Sequence, residues 1–227
     1  TQCETGYELN GHIRICPGAP SADYLVVLAE LNQQGIRRPA LFLVNQDAPG
    51  VKLESFQMLD GSRAASVDFE RVNVSVDALL SDRSTLQPEI DRVIAQSMLL
   101  LCWEAMGSMT AAFEQTRSYT GTRMQFGKTL NEFQVVQHRL AEMAVLCREA
   151  RAICELGVIQ ASIASADVTA IAVRVKAKVG QCAQLISKDC VQLHGAMGVT
   201  EELAIASHFR KLLWFQTIWA LTEELAQ

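Results

Sequence analysis

The chain has 227 residues and a mass of 25.0 kDa, with 49% hydrophobic residues, 20% charged residues and a net charge of −5. That composition supports a sizeable core and excludes wholesale disorder, and an acidic balance without clustered Lys and Arg argues against nucleic acid as a partner. The longest apolar run, residues 98–103, is far short of the roughly 20 residues of a membrane span, so no membrane partner is expected either.

The front of the chain reads as β. Asn10-Gly11, Pro17-Gly18, Gln34-Gly35, Pro49-Gly50 and Asp60-Gly61 punctuate short segments rich in Val, Leu and Ile, a pattern of turns between strands. The clearest strands are 24–28, 40–44 and 66–72, and regular turns between them suggest an antiparallel barrel or sandwich. From Ser84 the character changes. Ser84, Gln87, Pro88 and Glu89 have the form of a helix start with Pro in the first turn. A first helix is predicted over about 88–122, broken by Gly121 and Gln125-Phe126-Gly127. A second is predicted over about 130–165, its stripe of Phe133, Val136, Leu140, Met143, Ala144 and Cys147 having the spacing of a core-facing surface. A third runs over 166–193 and ends at His194-Gly195, and a fourth follows Thr200. The expected fold class is therefore α+β: a partial antiparallel β-domain over 1–87, then a four-helix bundle over 88–227.

Seven cysteines are spread widely without a C-x-x-C pair, which favours free thiols and a reducing compartment. The four histidines, His12, His138, His194 and His208, are not at ligand spacing, so no metal is expected. No P-loop, nucleophile elbow or Gly-rich dinucleotide fingerprint is present. The start at Thr1, without Met or a basic-then-apolar leader, reads as a processed chain or a fragment.

Three places can carry chemistry. Arg123 and Lys128 can bracket a phosphate where one helix ends and the next begins; otherwise they belong to a basic interhelical turn plugged by Phe126. The turn Gln192-Leu193-His194-Gly195-Ala196-Met197-Gly198 can let backbone approach a ligand; otherwise it is a glycine-rich helix cap. Glu104 stands alone in the apolar stretch 98–107, where a carboxylate would have a raised pKa and could act as a general base. Its alternative is a glutamate facing solvent or paired with an arginine on a neighbouring helix. The run Leu212-Leu213-Trp214-Phe215 is either a dimer surface built by the last two helices or part of the chain's own core.

Taken together, Arg117-Ser118-Tyr119-Thr120-Gly121-Thr122-Arg123-Met124-Gln125-Phe126-Gly127, its continuation Phe133-Gln134-Val135-Val136-Gln137-His138-Arg139, and Val191-Gln192-Leu193-His194-Gly195-Ala196-Met197-Gly198-Val199-Thr200-Glu201-Glu202-Leu203 resemble the acyl-CoA dehydrogenase family. Gly6-Tyr7-Glu8-Leu9-Asn10-Gly11 and Asp60-Gly61-Ser62-Arg63-Ala64-Ala65-Ser66-Val67-Asp68-Phe69 resemble the second half of its β-domain. The resemblance covers essentially the whole chain, but only the back of the family's length.

It implies FAD as cofactor, an acyl-CoA thioester as substrate, α,β-dehydrogenation, and electrons leaving to an electron-transfer flavoprotein. By the family's pattern, Arg123 meets the pyrophosphate with Gln125 and Phe126 beside it, and Leu130, Phe133 and Gln134 line the adenosine side. Gln192, Leu193 and Gly195 would close the site from a partner subunit, with Ala196 in place of the usual second glycine. A homo-oligomer (dimer or tetramer), or a hetero-oligomer with a second acyl-CoA dehydrogenase subunit, and a bacterial cytoplasmic location follow from the same resemblance. The sequence departs from the family at the positions of the catalytic base, which are Ser97 and Trp219 here. It departs again at Ile15 and Pro17, where an aromatic residue and a threonine usually face the flavin. Glu104 is then the remaining candidate base. A chain without one would be a catalytically silent subunit that completes a partner chain's FAD site.

Overall fold

The computed structural model describes residues 2–3, 6–33, 36–83, 86–163, 166–200 and 202–218, with side chains from residue 6 onward except that of Gln33. Ser84, the Gln34-Gly35 turn, Glu201 and Trp219 lie outside the described residues. The chain divides into two compact units, residues 1–91 and 92–227.

The first unit holds two antiparallel sheets. Strands β1 (Gln2–Cys3), β2 (Gly6–Pro17), β5 (Val51–Gln57) and β6 (Arg63–Ser75) form one, in the order β1-β2-β6-β5. Strands β3 (Tyr24–Gln33), β4 (Ile36–Asn45) and β7 (Leu79–Ser81) form the other, in the order β3-β4-β7. Alternation builds the core between them, because successive side chains of a strand point to opposite faces. Leu25, Val27 and Leu31 of β3 are buried while Tyr24, Val26 and Leu28 are exposed. Tyr7 of β2 packs edge-on against Phe42 of β4, with ring centroids 5.1 Å apart.

The strands are longer than their apolar runs suggest. Asn10-Gly11, expected to be a turn, lies inside β2, where the register with β6 shifts between Leu9 and Gly11. The extra residue is on β6, where Glu70 and Arg71 together oppose Asn10, and it forms a bulge. Asn10 Oδ1 accepts the backbone N–H of Arg71 at 2.8 Å, holding Arg71 at φ 51°, a left-handed conformation uncommon for a residue with a side chain. Cross-strand pairing on both sides of the bulge thus overrides a local turn signal.

The second unit is helical: α1 (Leu86–Thr122), α2 (Gln134–Ala161), α3 (Val168–His194) and α4 (Ile205–Thr217). Met98, Leu99, Cys102, Ala105 and Met109 of α1, Met143 and Cys154 of α2, Val175, Val179, Ile186 and Cys190 of α3, and Leu212 and Phe215 of α4 share one core. Of the stripe expected on α2, Val136 and Met143 are buried and Leu140, Ala144 and Cys147 are half-buried. Leu212 and Phe215 are thus core within this chain, whereas Leu213 and Trp214 between them are half-buried. α3 starts at Asp167, whose carboxylate accepts the Ala170 N–H at 3.0 Å, a favourable N-cap. Ion pairs tie neighbouring helices: Arg139 to Asp189 at 2.5 Å and Lys178 to Glu149 at 2.7 Å join α2 and α3. The six described cysteines, Cys16 and five in the helices, are free thiols. No helix among the described residues is long and apolar enough to cross a membrane.

Candidate functional site

The break between α1 and α2 is a miniature β-hairpin rather than a loop. Strand β8 (Met124–Gln125) pairs with β9 (Lys128–Thr129), leaving Phe126 and Gly127 as the two turn residues, with φ of 53° and 81°. Two left-handed residues define the turn type that matches strand twist, and it favours Asn or Gly. Gly127 suits its place, whereas Phe126 is held there at a steric cost and is 92% exposed. Non-glycine residues in such conformations concentrate at functional sites.

The chain leaves the hairpin through a short 3-10 turn (Leu130–Glu132) into α2. That entry explains why the second helix begins later than periodicity suggests. Glu132 accepts the Thr129 hydroxyl at 2.7 Å and the Thr129 N–H at 2.8 Å, completing a capping box. These hydrogen bonds, the hydroxyl's first and then the backbone's, hold the Glu132 carboxyl below its ordinary value.

Arg123, Gln125, Phe126 and Gln134 are exposed, and Leu130 and Phe133 half-buried, around this hairpin. Arg123 makes no ion pair among the described residues. Lys128 Nζ lies 4.2 Å from the centre of the Phe133 ring, and Phe126 meets Phe133 edge-on at 6.3 Å. An exposed guanidinium on the same hairpin as an ammonium and two aromatic rings is a set of groups suited to a phosphate with a planar base attached.

The 192–198 turn stands at the end of α3. Gln192 and Gly195 are exposed, Leu193 is half-buried and His194 is buried. Gly195–Val199 forms a 3-10 turn. A Cβ on Gly198 would lie 2.7 Å from the Val191 carbonyl oxygen, so only glycine permits this closeness. His194 stacks on Tyr119 of α1, with centroids 4.4 Å apart and planes at 22°. The hairpin and the 192–198 turn of one chain are therefore joined at the same end of the bundle.

Glu104 departs from its expected surroundings. Cys102, Ala105 and Met109 face the core, while Leu100, Glu104 and Gly107 form the outer face of α1. Glu104 is about half exposed and pairs with Lys211 of α4 at 2.8 Å. A continuous apolar run wraps every face of a helix, so apolar neighbours in sequence do not bury the residue beside them. Ser97 is half-buried in α1, and Trp219 lies outside the described residues.

Sequence reasoning passed over two side chains. Lys176 of α3 is fully buried, with Nζ 4.2 Å from the Phe215 ring centre and no hydrogen-bond partner among the described residues. Its helical spacing matches that of its apolar neighbours, which is a signal for an inward position. His208 of α4 lies between Ser108 Oγ, 3.0 Å from Nδ1, and Gln115 Nε2, 3.2 Å from Nε2. Among the described residues no group of His, Cys, Asp and Glu could hold a metal.

This fold and these motifs define a class. Residues 90–224 match the acyl-CoA dehydrogenase C-terminal domain, and the mitochondrial long-chain specific acyl-CoA dehydrogenase of Sus scrofa is 31% identical over 206 residues, covering 87% of this chain and 47% of that protein. The chain belongs to the acyl-CoA dehydrogenase family. It spans about half the length of the curated relatives it matches. Among solved structures, an acyl-CoA dehydrogenase from Geobacillus kaustophilus superposes with a TM-score of 0.89 at 24% identity, covering 99% of this chain and 60% of that one. The ChsE4-ChsE5 complex from Mycobacterium tuberculosis shares the fold at a TM-score of 0.84 and 18% identity, covering 97% of this chain and 58% of that one.

Proposed function

We propose that this chain supplies the FAD-holding helical part of an acyl-CoA dehydrogenase, as a subunit or as a portion of the whole enzyme. The observation that carries this reading is the exposed Arg123, without an ion pair among the described residues, at a strained hairpin that leads through a capped 3-10 turn into α2. Bound FAD would supply the hydride acceptor for α,β-dehydrogenation of an acyl-CoA thioester. The chain's own residues bind and orient. Arg123 meets pyrophosphate oxygens through its forked donors, and the free N–H groups at the start of α2 add to that field. Gln125 and Phe126 flank the pyrophosphate, and Leu130, Phe133 and Gln134 face the adenosine. Gln192, Leu193 and Gly195 close the cradle with small or amide-bearing groups. Electrons then leave to an electron-transfer flavoprotein. The assembly is a homo-oligomer or a pair with a second acyl-CoA dehydrogenase subunit, working in a bacterial cytoplasm.

The test is a visible absorption spectrum of the purified chain after incubation with FAD and desalting. Flavin bands that persist in the native chain, are lost in Arg123→Ala and bleach on addition of an acyl-CoA are expected. A native chain that retains no flavin overturns the reading that it holds FAD by itself.

One observation favours a second reading, a catalytically silent subunit that completes a partner's FAD site. Glu104 is tied to Lys211 at the helix surface, and Ser97 stands where the resemblance implies a base. An aliphatic hydroxyl does not remove a proton at neutral pH. Flavin that is retained but never bleached by acyl-CoA would favour this reading.

A further inference from the structure

We propose that the Tyr119–His194 ring pair is a positioning device that sets the Arg123 hairpin and the 192–198 turn of one protomer into a single dinucleotide cradle. This rests on the FAD reading above and adds to it two residues that the family resemblance assigns no role. It also puts both motifs on the same chain's cradle, where the resemblance implies that the turn closes a partner's site.

Each ring is anchored to the backbone of its own motif. The Tyr119 carbonyl accepts the Arg123 N–H at 2.9 Å, and the Arg123 carbonyl accepts the Leu130 N–H at 2.9 Å. The hairpin therefore leaves α1 one helical turn beyond Tyr119 and is pinned at its base. On the other side His194 Nδ1 lies 2.8 Å from the Cys190 carbonyl oxygen. A carbonyl only accepts, so Nδ1 carries the proton and the ring is fixed on α3. Gly198 then folds back over the end of α3: a Cβ there would lie 2.7 Å from the Val191 carbonyl oxygen and 3.1 Å from His194 Cβ. His194 belongs to the turn itself and cannot shift without unstacking from Tyr119.

The ends of α1 and α3 are thus clamped while Arg123, Gln125, Phe126, Gln192 and Gly195 remain exposed on the ligand side. Rigid support behind exposed binding groups lowers the ordering cost of binding.

The experiment compares the native chain with Tyr119→Leu, which keeps apolar bulk but removes the stack, and with Tyr119→Phe, which keeps the ring. FAD affinity is read from quenching of flavin fluorescence, and hydrogen exchange is read on peptides covering 123–130 and 192–199. Tyr119→Leu should weaken FAD by about ten-fold and speed exchange in both peptides, while Tyr119→Phe stays within about two-fold of the native chain. Should Tyr119→Leu fail to fold, His194→Leu takes its place, with the same outcome expected. Unchanged affinity and exchange in the leucine variant would overturn the proposal, leaving the rings as packing alone. An equal loss in Tyr119→Phe would also overturn it, by assigning the effect to the hydroxyl. If the native chain binds no flavin, the FAD reading falls, and the exchange of 192–199 in Tyr119→Leu still decides whether the rings position the turn.

Discussion

Glu104 and Lys176 are two charged residues of one bundle with opposite settings. Glu104 lies on the outer face of α1 in a half-exposed pair with Lys211, and exposed pairs contribute little to stability, ~0–1 kcal/mol. If Glu104 were the base, its carboxylate would have to leave Lys211 to meet a substrate. Glu104→Gln should then abolish acyl-CoA bleaching of the flavin without changing FAD affinity. Bleaching that continues unchanged in the variant would remove Glu104 as the base. Lys176 is the costlier residue. Burial holds its ammonium below the ordinary lysine value, against the smaller opposing influence of Cys102, and the Phe215 ring is its described compensation. Replacing even a buried ion pair by apolar side chains of similar volume is often neutral or stabilising by ~1–4 kcal/mol, and Lys176 has no carboxylate partner among the described residues to lose. Lys176→Met is accordingly expected to raise the urea midpoint of the chain. A lower midpoint would mean that the contact with the ring outweighs desolvation.

At the scale of elements, His208 connects α4 to α1. The Gln115 amide nitrogen can only donate, so His208 Nε2 accepts, and Nδ1–H then donates to Ser108 Oγ. Both bonds fit the neutral ring, and a charged ring would turn a second N–H toward the amide. Burial lowers the His208 pKa from its ordinary 6.5. With a depressed folded value, the contribution to stability is fully present above pH 6.5 and is lost as pH falls through the folded pKa. Urea midpoints at pH 7.5 and 5.5 should therefore fall more in the native chain than in His208→Gln, which lacks the titrating ring; equal falls would rule out His208 as a source of acid sensitivity. The elements themselves were largely legible beforehand. Periodicity located four helices, because a repeat near 3.6 residues is a local property. It failed at the joint of α1 and α2, where the hairpin and the Thr129–Glu132 box delay α2, and the turn signal Asn10-Gly11 stays inside β2, opposite a bulge in β6, because β6 pairs on both sides of it.

For the whole molecule, the chain carries two compact units and about half the length of the relatives it matches. The β unit buries one face of β3 and leaves Tyr24, Val26 and Leu28 exposed on the other. What the sequence by itself determined is the α+β order, the bundle and the family, since these rest on turn residues, helical periods and contiguous motifs. Only the tertiary structure decided that Tyr119 and His194 bring the hairpin and the 192–198 turn together, that Glu104 meets Lys211, and that Leu212 and Phe215 are core. The physical reason is range. A motif constrains its own few turns of backbone, whereas which helix face meets which depends on packing between segments some 75 to 107 residues apart, where no local pattern specifies the partner.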